Sequence, residues 1–145
     1  MAPTFDPTFN PTTLSPSVYT YPSSSCNSDF AGEYHNCVIF TDQSVKCWGA
    51  GNYGRLGLGD TSNRGDGSGE MGDYLPFVDL GTSCTVVTDL TAGGYYYNCV
   101  MCSDGSVKCW GHNFYGQLGQ GDTTNRGDGV GEMGDYLPFV DVEGI

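Results

Sequence analysis

The sequence predicts an all-β protein built from two copies of one repeat behind an extended arm, and three observations predict it. Residues 35 to 79 and 97 to 141 are nearly the same segment, 62 positions apart, with 33 of 45 aligned positions identical; repetition on that scale marks a stacked or radial architecture. Glycine occurs 23 times in 145 residues, against a usual share of about 7 per cent, which disfavours long helices. Five of the seven prolines fall in the first 25 residues, where they disfavour helix and favour extended backbone.

The chain divides into an arm over 1–25, a first repeat over 26–82 and a second over 83–145. In the arm, Pro3, Pro7 and Pro11 recur every four residues, and no Lys or Arg occurs. Thr4, Thr8, Thr12, Thr13, Ser15, Ser17, Thr20, Ser23, Ser24 and Ser25 give it hydroxyls throughout. Such a composition suits an O-glycosylated stalk or a bare linker. Asn10 precedes a proline, and no other asparagine completes an N-glycosylation triplet.

Each repeat opens on a hairpin. Cys37 and Cys47 lie ten apart, as do Cys99 and Cys109, around the turns Thr41-Asp42-Gln43 and Ser103-Asp104-Gly105. A three-residue loop with Gly105 in the left-handed region sets Cys99 opposite Cys109, so a cross-strand disulfide fits in each copy. The alternatives are free buried thiols or a zinc site. Zinc is the weaker of these, because Phe40 stands where the second copy has Cys102. Cys26, Cys84 and Cys102 then remain, an odd number, so one is left over as a free thiol or bonds another subunit; Cys26 with Cys84, or a bond across subunits, is the expected pairing. Alternation places Val107 and Cys109 on one strand face and Lys108 and Trp110 on the other. A glycine-rich loop over 112 to 135 follows, then Leu137 to Asp141 as a short edge strand, while Val86 to Tyr95 supplies another strand ahead of the hairpin. Four short strands per repeat suit a propeller blade.

The runs CVIFTDQSVKCWGAGNYGRLGLGD and CVMCSDGSVKCWGHNFYGQLGQGD resemble the blade motif of the regulator of chromosome condensation family, the RCC1-like repeats, and the resemblance covers residues 26 to 145. It implies an all-β propeller, usually of seven blades, that serves as a protein-interaction platform. Founding members exchange nucleotide on a small GTPase and bind chromatin. Cysteine-bearing versions of the repeat are typical of extracellular or surface proteins, so the resemblance implies secretion here.

Charge and composition exclude other classes. Seventeen acids against five bases give a net charge of −12, which opposes binding to nucleic acid, whose phosphates call for Lys and Arg. Apolar runs are only a few residues long, far short of the roughly 20 that span a bilayer. The start Met-Ala-Pro-Thr carries neither the basic nor the apolar region of a secretory signal. His35 and His112 fall at different repeat positions without a shared nucleophile, so no catalytic triad is expected, and neither is a cofactor. Arg64-Gly65-Asp66 and Arg126-Gly127-Asp128 spell an adhesion tripeptide, yet each arginine has a local carboxylate, Asp60 or Asp122, to pair with. The loop acids match no calcium-loop spacing and read as solvated. Tyr95, Tyr96 and Tyr97 are expected to line the contact between blades.

Two blades cannot cover their own outer faces. The expected protein is a non-enzymatic, extracellular structural or adhesive subunit that assembles head-to-tail into a homo-oligomer or fibre, residues 18 to 34 adding a strand to the neighbour. The alternative is an interaction domain of a larger RCC1-like propeller, nucleotide exchange being its less favoured form.

Overall fold

A computed structural model describes residues 32–85 and 87–143; the arm, Cys26 and the proposed donor strand lie outside the described residues except at Gly32 to Tyr34. Two antiparallel sheets account for the regular structure. The first pairs β1 (His35–Ile39) with β2 (Val45–Gly49). The second runs in the order β3 (Val87–Gly93), β4 (Tyr97–Cys102), β5 (Val107–Gly111). Among the described residues the helical segments are three single 3-10 turns, Asn52–Gly54, Gly72–Tyr74 and Gly134–Tyr136.

The hairpin register follows from the turn chemistry. Gly105 has φ 84° and Gln43, at the same place in the first copy, has φ 69°, the left-handed conformation that closes a three-residue loop. Asp42 and Asp104 each accept a backbone N–H from the serine two residues on, at 3.0 and 2.9 Å. With the turn fixed, Cys37 pairs with Cys47 and Cys99 with Cys109, and each pair is disulfide-bonded.

Two expectations need correction. The third disulfide joins Cys84 to Cys102, in place of the expected Cys26 with Cys84. An irregularity in β3 puts Val87 opposite Cys102, which leaves Cys84 with its Cα 5.3 Å from that of Cys102. Second, the expected edge strand at 137–141 is reduced to a single antiparallel bridge, Phe139 opposite Lys108, and 75–79 forms no strand. Pro76 and Pro138 have no N–H to give, and each segment is held mainly by one N–H: Val78 donates to Val45 O and Val140 to Val107 O, both at 2.8 Å. Both faces of β5 are covered, and the Lys108–Trp110 face is as buried as the Val107–Cys109 face, because the first repeat packs against it.

The core is continuous across both repeats. Val45, Cys47, Leu56, Val78 and Leu80 of the first meet Val87, Leu90, Val100, Trp110, Met133 and Leu137 of the second in one cluster. Apolar burial is therefore shared between the repeats, and stabilises the pair as a unit.

The glycine-rich loops are organised by their own charges. Arg64 pairs with Asp60 at 2.6 Å and Arg126 with Asp122 at 2.7 Å, the local pairing that the sequence suggested. Glu132 Oε2 accepts N–H groups from Gly127, Asp128 and Gly129; Glu70 does the same for Gly65 and Gly67. Among the described residues no cluster of three or more His, Cys, Asp or Glu could hold a metal, and no helix is long and apolar enough to cross a membrane.

Candidate functional site

The junction between the repeats holds a network of buried polar side chains. The first repeat's YGRLG loop, Tyr53 to Gly57, lies against β4 and β5 of the second. Arg55 O is its centre: it accepts from Asn98 Nδ2 at 2.6 Å and from Trp110 Nε1 at 3.1 Å. Asn98 Oδ1 is thereby left to accept from His35 Nε2–H at 2.8 Å. The Arg55 guanidinium donates to Tyr95 O at 3.0 Å and lies over the Tyr96 ring, 4.6 Å from its centre. Tyr96 also meets Tyr53 edge-on, so this tyrosine does line the contact between repeats.

Close approach makes this possible. Gly54 has φ 72°, and a Cβ there would strike the backbone of Gly127 and Asp128. Gly59 N donates to Gly127 O at 3.1 Å, tying the two loops directly. At the far side, Lys108 Nζ donates to Leu80 O of the first repeat and Gly134 O of its own, both at 2.8 Å.

Burial sets the electrostatics. His35 is 1% exposed, and loss of solvent holds its pKa below the usual value, with Arg55 acting in the same direction and the Asn98 bond opposing. Its Nδ1 has no hydrogen-bond partner, which fits a neutral ring with the proton on Nε2. Lys108 is likewise lowered by burial, against the pull of Asp135 and Asp79.

The corresponding positions are less covered in the first copy. Trp110 is fully buried and Trp48 is not; Asn98 is fully buried and Asn36 is exposed. Met133 is buried, whereas Met71 is 41% exposed. Trp48, Gly49, Ala50, Asn63, Arg64, Gly65 and Asp66 line a shallow groove, at the place where Gly54 to Gly57 sit on the second copy. At the other end, Phe114 and Tyr115 are 66% and 83% exposed. Gln117, standing where the first copy has Arg55, turns back to His112 Nδ1 at 3.0 Å. Each end thus presents half of the junction that the middle completes.

Sequence reasoning did not single out Asn98, Arg55 or Trp110. One signal was available: the asparagine before each hairpin cysteine is identical in both copies, although a strand edge does not require it.

The sequence model described as the regulator of chromosome condensation (RCC1) repeat matches residues 30–55 and 87–117. The chain is 30% identical over 108 residues to the probable E3 ubiquitin-protein ligase HERC4 of Homo sapiens, a match that covers 74% of this chain and 9% of that protein. It is 30% identical over 95 residues to the ultraviolet-B receptor UVR8 of Arabidopsis thaliana, covering 66% and 19%. The chain therefore spans less than a fifth of the length of these curated relatives. In fold it is similar to human WBSCR16, with a TM-score of 0.50 at 21% identity over 66% of this chain and 22% of that one. Both matched segments run from the cysteine-tied hairpin through the WG element to the start of the YGxLG loop, and the two repeats of the chain are similar to the RCC1 repeat.

Proposed function

We propose that the chain is a non-catalytic protein-interaction module, a stretch of RCC1-type propeller whose end faces and loops engage other proteins. The observation that carries this reading is the contrast between Trp110, fully buried by the preceding repeat, and Trp48, which holds the same position only half-buried, between an exposed Asn36 and an exposed Met71. A blade face of this composition excludes water only when another protein surface covers it. The relatives, a probable ligase and a receptor, favour an interaction domain over the structural fibre expected from the sequence. Fibre formation, adhesion and nucleotide exchange draw no support from them.

Three disulfides within 145 residues favour a second element of the reading, residence in an oxidising compartment. The hydroxyl-rich arm is then open to O-glycosylation, which the intact mass of native material measures directly.

A photo-crosslinking residue placed at Tyr115, and separately at Trp48, in the native setting tests the module. Covalent capture of a protein at both positions is expected. Recovery of uncrosslinked chain at both would reject the reading.

A further inference from the structure

We propose that a second copy of this chain seats its residues 115–121 on the Trp48 face of the first, repeating between molecules the contact that residues 53–59 make with Trp110. The proposal rests on the interaction-module reading and names its partner.

The molecule carries the template for this contact. Four of its hydrogen bonds join backbone atoms or residues identical in both copies, so they transfer by a shift of 62 positions, while the His35 bond does not, since Tyr97 stands in the place of His35. Arg55 O accepts from Asn98 and Trp110; Gln117 O of a second copy meets Asn36 and Trp48. Gly59 N donates to Gly127 O; Gly121 N meets Gly65 O. Lys108 Nζ reaches Leu80 O; Lys46 Nζ, bonded to Gly72 O at 2.7 Å, has no counterpart of Leu80 O among the described residues, and Val142, 77% exposed, stands in the matching place.

The local backbone is already set to receive it. Gly49 N donates to Arg64 O at 2.8 Å and Gly111 N to Arg126 O at 2.7 Å, and both glycines have φ 109°, so the receiving loop has one shape in both repeats. In the incoming loop Gly116 keeps its conformation, φ 75° against 72° at Gly54, while Tyr115 does not share the positive φ of Tyr53, 62°. The groove along Trp48, Asn63 and Gly65 is the space such a loop fills. Two side chains of the loop change, Arg55 to Gln117 and Leu58 to Gln120, and neither change removes the backbone carbonyl of residue 117 or the N–H of Gly121. Because the two faces differ, the contact is heterologous and runs head-to-tail.

Two variants separate the faces. A Cβ at Gly116 meets nothing nearer than Asp122 O at 3.9 Å, whereas the template places that position against backbone. Gly116→Asn, a residue that tolerates positive φ, therefore blocks the tail while sparing the chain, and Trp48→Ala blocks the head. Sedimentation velocity is run on the oxidised full chain with Cys26 alkylated, in about 0.15 M salt, where a Debye length of about 8 Å screens the charge of −12.

The unmodified chain is expected to form species that grow with concentration, and each variant to raise the apparent dissociation constant tenfold or more. Mixing the two variants restores a one-to-one dimer, through the head of one and the tail of the other. Acrylamide quenching gives a readout free of mutation: of the two tryptophans, Trp48 loses accessibility as concentration rises. A chain that stays monomeric with constant quenching overturns the proposal, as does association that both variants leave intact or a mixture that stays monomeric. Cross-link capture of a different protein at Trp48, with a monomeric chain, removes the second copy as partner and leaves the module reading standing.

Discussion

His35 Nε2 donates to Asn98 Oδ1 at 2.8 Å, a bond between residues 63 apart that joins the first strand of one repeat to the middle strand of the next. The neutral ring it requires makes the junction sensitive to acid. His35 has a folded pKa below the ordinary value near 6.5, so the unfolded chain binds the proton first. Its contribution to stability is present above about pH 6.5 and is lost as pH falls below it toward the folded pKa. Urea unfolding between pH 8 and 5 should show stability declining by up to about 1.4 kcal/mol per pH unit within that window, and His35→Gln should flatten the decline. The carboxylates of Asp122 and Asp135, held low first by backbone N–H donors of Thr124 and Thr82, lose their contribution only in more acidic solution.

Paired substitutions use the duplication as its own control. Trp110→Ala removes a fully buried indole and leaves Arg55 O one donor short, a loss of roughly 3 to 5 kcal/mol. Trp48→Ala, at low protein concentration, should cost about 1 kcal/mol. Equal destabilisation in denaturant melts would mean that the two faces are alike.

Lysine gives a second pair. Lys108→Ala strands Leu80 O and Gly134 O in a buried place, at about 1 to 3 kcal/mol for each unsatisfied group before relaxation. Lys46→Ala removes one exposed bond to Gly72 O and should shift the midpoint little, on the order of 0.5 kcal/mol. Thermal melts of the two variants side by side measure the difference.

Cysteine chemistry supplies the fourth test. Bonds 37–47, 84–102 and 99–109 use six of the seven cysteines, so Cys26 has no cysteine partner within the chain. Unreduced peptide mapping should recover those three links, and alkylation should label one thiol per chain, or none where Cys26 joins two chains. Cys84→Ala with Cys102→Ala should lower stability by roughly 3 kcal/mol. A map that links Cys26 to Cys84 would reject the assignment.

The local half of this fold was legible in the sequence. Ten-residue cysteine spacing, a turn ending in Gly105 and alternation in VKCWG all report on neighbours a few residues away, and the hairpins follow from them. The arginines of the RGD segments could be assigned to Asp60 and Asp122 for the same reason. Cys84 was misassigned because the irregularity between Val87 and Asp89 depends on how β3 lies on β4, which no short pattern encodes. The junction was missed for a related cause: Trp48 and Trp110 sit in identical pentapeptides, and only packing across 55 residues, from Arg55 to Trp110, distinguishes them.

That division between near and far contacts also sets an order in time. Each hairpin closes a loop of ten residues, an entropically cheap event, whereas the bonds from Arg55, His35 and Lys108 across the junction join residues 28 to 63 positions apart. Contacts between distant positions form after the local ones that bring them together. Substitutions at Asn98 or Trp110 should then accelerate unfolding far more than they slow refolding, so the junction acts as the latch that governs how long the paired repeats stay closed.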